Sequence, residues 1–390
     1  MPSPHRILLK TAFACYALAL IPAAQAHDGK PDAPEPAEAV ITPAQTTLPV
    51  SPPSGKTADR VPDSGKPAPD NRDAKTWFHL GMMAKNGYGV PADPAMAGEY
   101  FEKAAEQGYK PAIYQLALMQ FSGTYGPQDK AAAIGLFGKL AGDGFAPAQY
   151  TLGYLTLKGD GIPPNPVEAK SWFEKAAAQN DVRATASLAW LYLEGIGTRA
   201  DDTRAAALFR KAALMNDAFS QDQLGLMTGQ GRGAPVDRVE AFSWFEKAAM
   251  QGYAPAQYHL ALMYLGDTGI KPDPEKAVTW LSASAANGHV EAQHFYASIL
   301  YIGYGVKQDI PKAITYFTQA AKNGHAESQY ILGTIYVRGN GVVADLKKAR
   351  EWFLEAEKAG HPEAKNALAK LDEMETAIPS GTGATGQNPP

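Results

Sequence analysis

The chain has 390 residues, of which 45% are hydrophobic and 19% charged, and its formal net charge is −4. No basic run suits a phosphate backbone, which excludes nucleic acid as a partner. One cysteine, Cys15, excludes an intramolecular disulfide.

The first element reads as an export signal over residues 1–26. His5, Arg6 and Lys10 give a positive start, "TAFACYALALIP" is a short apolar stretch, and "AQA" (Ala24–Ala26) supplies the small residues of a cleavage site. Some 12 apolar residues fall short of the roughly 20 that cross a bilayer, so cleavage after Ala26 is expected, with no membrane span left behind. Lipid modification at Cys15 is the rival reading, but the preceding "TAFA" lacks the usual leucine. Cleavage also removes Cys15, leaving no thiol nucleophile in a periplasmic or secreted product.

Residues 27–74 contain ten prolines and no Phe, Tyr or Trp. Such a segment cannot bury enough apolar surface to offset its ordering entropy, so a disordered linker is expected. The tail, 377–390, has a similar composition and receives the same reading.

Between these segments, over 75–376, the sequence repeats itself. "WFEKAA" occurs at 172–177 and again at 244–249, and alignment on it gives a period of 36 residues. Eight units follow without a gap, starting at 76, 112, 148, 184, 220, 256, 292 and 328. Each unit predicts a helix, a glycine loop, a second helix and a turn. In the first helix, positions 1, 5 and 8 form one apolar stripe, as in Ala148, Leu152 and Leu155, which is expected to pack inward. Position 6 is always Gly or Ala, which would let a neighbouring helix approach closely.

The loop reads "GYGV", "GDGI" or a variant, with glycines suited to left-handed turns. The second unit departs with Tyr125 at the second glycine and the sixth with Asp267 at the first. Next comes an Asp in seven units and Asn165 in the other, a register that could suggest a carboxylate array. Capping of the second helix is the simpler account, since Pro94, Pro166 and Pro274 follow at the first helical position. The second helix carries an alanine, then Phe four residues later (Leu281 in one unit), then usually "AA". Glu174, Lys175, Glu246 and Lys247 fall on its opposite side. Gly or Asn ends it at 108, 144, 180, 216, 252, 288, 324 and 360, residues that tolerate the left-handed conformation.

These units, typified by "AQYTLGYLTLKGDGIPPNPVEAKSWFEKAAAQN", resemble Sel-one-like repeats (SLR), relatives of tetratricopeptide repeats. The resemblance covers residues 76–363. It implies an all-α fold, a right-handed superhelical α-solenoid of eight 36-residue helix-loop-helix repeats, with 364–376 as a C-terminal capping helix. The periodicity reaches the same architecture, because no unit can cover its apolar face alone and neighbours must stack. The resemblance also implies a non-enzymatic adaptor of the bacterial cell envelope that binds a protein or peptide on its concave face.

One feature exceeds what folding asks of a surface helix. Positions 3, 7 and 10 of the first helix lie opposite the inward stripe, yet many are aromatic. The expected partner-binding residues are Tyr114, Tyr150, Tyr154, Trp190, Tyr258, His294, Tyr301 and Tyr330, since Tyr and Trp join rigid area to a polar tip. Packing between helices is the competing account of each. His289, His325 and His361 share one repeat position, at which Tyr109, Phe145 and Tyr253 stand elsewhere. Equivalent atoms of adjacent repeats lie about 8–10 Å apart, too far for a shared ion, and aromatic packing is the expected role. No cofactor or metal is expected.

An envelope glycan or exported polysaccharide is the alternative ligand. A cysteine-rich subgroup of the family is linked to β-lactam binding or hydrolysis, but this chain lacks the paired cysteines. No Ser begins S-x-x-K, and neither S-D-N nor K-T-G occurs. No catalytic residue is expected, and the chain is read as not an enzyme.

Overall fold

The computed structural model describes residues 72–89, 91–266 and 269–377. The expected signal, most of the 27–74 linker, Asp267 and nearly all of the 377–390 tail lie outside the described residues. Among those described there are seventeen helices and no strand. They fall into two compact units, one ending at Met215 and the other beginning at Asn216.

The first unit holds four helix pairs. In chain order these are α1 (Ala74–Asn86) with α2 (Pro94–Glu106), α3 (Lys110–Ser122) with α4 (Lys130–Gly142), α5 (Ala146–Lys158) with α6 (Pro166–Ala178), and α7 (Val182–Glu194) with α8 (Asp202–Leu214). The second unit holds four more pairs and a last helix. They are α9 (Ala218–Gln230) with α10 (Arg238–Met250), α11 (Ala254–Leu265) with α12 (Pro274–Ala286), α13 (Val290–Ile302) with α14 (Ile310–Lys322), α15 (Ala326–Arg338) with α16 (Leu346–Lys358), and then α17 (Ala364–Ala377). Each unit is an all-α solenoid of 36-residue repeats.

The helix boundaries follow local chemistry. Each expected Asp, and Asn165, caps its second helix, with the side chain accepting a backbone N–H of the first turn; Asp129 to Ala132 is 2.9 Å and Asp309 to Lys312 is 3.0 Å. At the other end, Asn180 and Asn216 are the two non-glycine residues with positive φ among those described, at 64° and 69°. The irregular loops adapt as their sequences require. In the second repeat the left-handed residue moves on to Gly126, and the Tyr125 ring lies against Gly98, where a Cβ would sit 2.4 Å from it. In the sixth, α11 stops a residue early at Leu265, and Gly266 is extended rather than left-handed.

Within a repeat, the second-helix Phe lies on the small residue at position 6 of the first helix. A Cβ built at Gly81 would meet Phe101 at 2.5 Å, and one at Gly333 would meet Phe353 at the same distance. The expected close approach is therefore between the two helices of one repeat, and the Phe they enclose is fully buried in most repeats. The stripe at positions 1, 5 and 8 is buried from the third repeat onward. In the first it is not, and Met83 remains 43% exposed, because among the described residues no helix pair precedes α1.

A buried glutamine ladder joins one repeat to the next. Gln149, Gln257, Gln293 and Gln329, at position 2 of their first helices, donate Nε2–H to carbonyls of Ala141, Ala249, Ala285 and Ala321 in the preceding second helix. Those carbonyls belong to last turns, where they also accept the N–H of Gly144, Gly252, Gly288 and Gly324. The amide oxygens of Gln149, Gln221 and Gln257 accept in turn from Gln179, Gln251 and Asn287 at 2.7–3.0 Å. The Oε1 atoms of Gln293 and Gln329 are left without a partner, although Asn323 stands at the equivalent place after the first and Ala359 after the second.

Candidate interaction surface

In the first unit the expected binding residues lie on α3, α5 and α7. Tyr114 is buried, its ring 5.7 Å from both Phe137 and Phe145, and its hydroxyl bonds Thr151 Oγ1 of the next first helix at 2.8 Å. Tyr150 is 5% exposed and packs on Phe173. The Arg183 guanidinium lies over it, 4.3 Å from the ring centroid, and contacts Asp181 at 3.3 Å. Burial pushes the Tyr150 hydroxyl up to about 12, against the opposing pull of Arg183. Tyr154 and Trp190, both at position 7 of successive repeats, are only half-buried, as are Arg183 and Ser187. Rigid rings and a cation thus remain accessible on α5 and α7.

In the second unit Tyr258, His294 and Tyr301 are buried, and Tyr330 is half-buried. Tyr258 stacks on His289 at 5.0 Å and Tyr330 on His361 at 4.2 Å. Tyr301 is 2% exposed, packs on Phe317, and its hydroxyl accepts from Asn340 Nδ2. The face opposite the inward stripe is therefore not a free surface along its whole length. Position 3 points at the following repeat, so a first helix is covered by its own second helix and by neighbours on both sides. That explains why it is apolar nearly all round.

The three repeated histidines pack as aromatic rings and do more. His289 and His325 cap α13 and α15, their Nδ1 atoms accepting from Ala292 and Ser328 N–H at 3.2 Å, and His361 accepts from Glu363 N–H at 3.2 Å. In the earlier repeats Asp181 and Asp217 cap from this position, whereas Tyr109, Phe145 and Tyr253 make no side-chain cap bond. A part-buried hydrogen bond, Asp222 Oδ1 to His259 Nδ1 at 2.7 Å, occupies the position-3 interface between the fifth and sixth repeats. Among the described residues no group of three or more His, Cys, Asp or Glu side chains is placed to hold a metal ion.

A second aromatic row escaped the sequence reading. Trp244, Trp280, Tyr316 and Trp352 share one place on α10, α12, α14 and α16, immediately before the enclosed Phe or Leu. Trp280, Tyr316 and Trp352 are half-buried at the edge of the core, and Tyr316 meets Tyr296 edge-on at 5.1 Å. The signal was the tryptophan of "WFEKAA" itself, which draws less notice than the strictly repeated Phe beside it.

The Sel1 repeat profile matches eight consecutive segments from residue 78 to residue 361, at 78–109, 110–145, 146–181, 182–217, 218–253, 254–289, 290–325 and 326–361. Among solved structures, the chain is similar to a protective antigen of uropathogenic Escherichia coli strains displaying an SLR fold. Identity is 31%, the TM-score is 0.64, and the match covers 77% of this chain and 65% of that one, just under two thirds of its length. It is also similar to a Sel1 repeat protein from Oxalobacter formigenes, with 30% identity, a TM-score of 0.59 and coverage of 77% and 86%. No curated protein matches it. With eight profile matches in one uninterrupted register and helix pairs of the same period, the chain belongs to the Sel1 repeat family.

Proposed function

We propose that this protein is a non-enzymatic scaffold, exported to the bacterial cell envelope, that holds a protein or peptide partner on the first-helix face of α5 and α7. Sel1 and related repeat proteins generally mediate protein–protein interaction. The observation that carries the reading is the half-exposure of Tyr154 and of Trp190, which shares its helix with the half-buried Arg183, while neighbouring aromatic residues are buried by packing. Tyr, Trp and Arg are the side chains that most often dominate binding energy, and rings anchored in a packed helix lose little freedom when a partner covers them. Tyr154 and Trp190 are the anchors in this proposal, with Arg183 drawing a carboxylate of the partner. Buried members of the expected set, such as Tyr114 and Tyr301, support the face from behind.

The test is photo-crosslinking in cells that express the full chain, with the reactive residue at 154 or 190 and a control at Glu174 on the exposed side of α6. A discrete protein adduct from 154 and 190, absent at 174 and lost in the Trp190→Ala and Tyr154→Ala chains, is expected. Equal adducts at all three sites, or none, would sink the proposed face. Fractionation of the same cells, with sequencing of the mature N-terminus, tests export; a chain still beginning at Met1 in the cytosol would refute it.

A further inference from the structure

We propose that His294, His325 and Ser328 form a proton-operated latch that fastens the seventh repeat to the eighth. His294 projects from α13 and is 4% exposed. Its ring lies 4.3 Å from that of His325, the cap of α15, and its Nδ1 is 2.8 Å from Ser328 Oγ. The same hydroxyl is 3.0 Å from His325 Nδ1, which also accepts the Ser328 backbone N–H at 3.2 Å. One serine thus joins the two imidazoles across the repeat boundary.

The hydrogen count makes this arrangement sensitive to acid. His325 Nδ1 must keep its lone pair to accept the N–H of Ser328, so its ring proton sits on Nε2. A second proton on that ring occupies Nδ1, removes the cap of α15 and sets two N–H groups against each other. A second proton on His294 places a charge in a site with almost no access to water. Two charged rings at this separation would also repel each other.

The surroundings do little to offset this. Burial foremost, and then the His325 ring beside it, hold His294 well below the usual histidine range. Facing His325 are His294, Glu291 of α13 and Glu327 of α15; burial lowers His325 and the two carboxylates pull it back only in part. Each carboxylate also has another imidazole beside it, Glu291 with His289 at 3.7 Å and Glu327 with His361 at 2.9 Å. Neither is dedicated to the latch.

The neighbouring boundaries show what the latch replaces. Tyr258 on His289 and Tyr330 on His361 pair a tyrosine at position 3 with a capping histidine. Only at the boundary between these two does histidine meet histidine. The folded state disfavours the proton, so stability from the neutral pair is present above the ordinary histidine value of 6.5 and is lost as pH falls below it. For a ring as strongly depressed as His294, the opening equilibrium rises about fivefold over the first pH unit below 6.5 and approaches about tenfold per unit beneath that.

Native-state hydrogen exchange on the full chain reads this directly, corrected for the intrinsic pH dependence of exchange and referred to α5. Opening of α15 is expected to rise about fivefold between pH 6.5 and 5.5 in the unsubstituted protein. His294→Tyr, which installs the residue found at position 3 of four other repeats, is expected to abolish most of that rise. Unchanged α15 protection across this range, or an equal rise in His294→Tyr, would overturn the proposal. Should the substituted chain fail to fold, the ring titration of His294 in the natural chain decides by NMR: a midpoint well below 6.5 supports the latch, and one at or above 6.5 rejects it.

Discussion

Single residues in this protein are repeated solutions to the same local problem, so each can be judged by its counterparts. Asn180 stands where six repeats place glycine, at φ 64°. Asn180→Ala is expected to cost about 1–2 kcal/mol in urea unfolding, the penalty of a left-handed β-carbon, while Asn180→Gly stays near neutral. Lys85 is the opposite case, a charge where later repeats carry Phe121, Leu157 or Leu193. Its Nζ donates to Gln115 Oε1 at 2.7 Å, and burial lowers it to about 8. Because the folded value is depressed, the folded state favours neutral amine. Lys85 therefore disfavours folding fully below pH 8, and that penalty fades as pH rises towards 10.5. An NMR titration of Nζ with a midpoint near 8 is the expected result; a midpoint above 10 would remove this account. The caps were legible because each depends on a side chain and backbone atoms two or three residues away. Lys85 was not, since its environment is supplied by α3.

For the helix pair, the deciding contact is Phe on Gly or Ala. At the third repeat a Cβ on Gly153 would lie 2.9 Å from Phe173. Gly153→Val forces the helices apart and is expected to lower stability by about 1–3 kcal/mol. Phe173→Ala leaves a cavity in their place and costs about 3–5 kcal/mol. Urea midpoints at pH 7.5 check both, and a loss under 0.5 kcal/mol (taken as about the scatter of surface substitutions) in either would contradict the packing. The sequence announced this pair through its period, and the small sixth residue indicated a close approach. It did not say that the approaching ring belonged to the same repeat. Position 3 was harder still: Tyr114 looks like a surface aromatic on a helical wheel, and only Thr151 of the next first helix shows that its hydroxyl is already bonded.

At the scale of the whole molecule, repeat contacts within each unit run between neighbours, and stability is correspondingly a sum of local terms. The described residues divide after Met215, and urea unfolding is expected to depart from a single two-state transition. In Phe173→Ala, amides of 72–215 should lose protection first while those of 216–377 keep theirs; one concerted transition lost equally everywhere would contradict this. By itself the sequence determined the helical repeat, its period, its caps and turns, and thereby the family, because those signals are short-range and recur eight times. Which aromatic side chains remain accessible was decided only in the tertiary structure. Tyr150 and Tyr154 stand four residues apart on one helix, yet the first is sealed by Phe173 and Arg183 while the second stays half open. That difference depends on what the adjoining repeats bring against each ring, and no periodicity within a single helix records it.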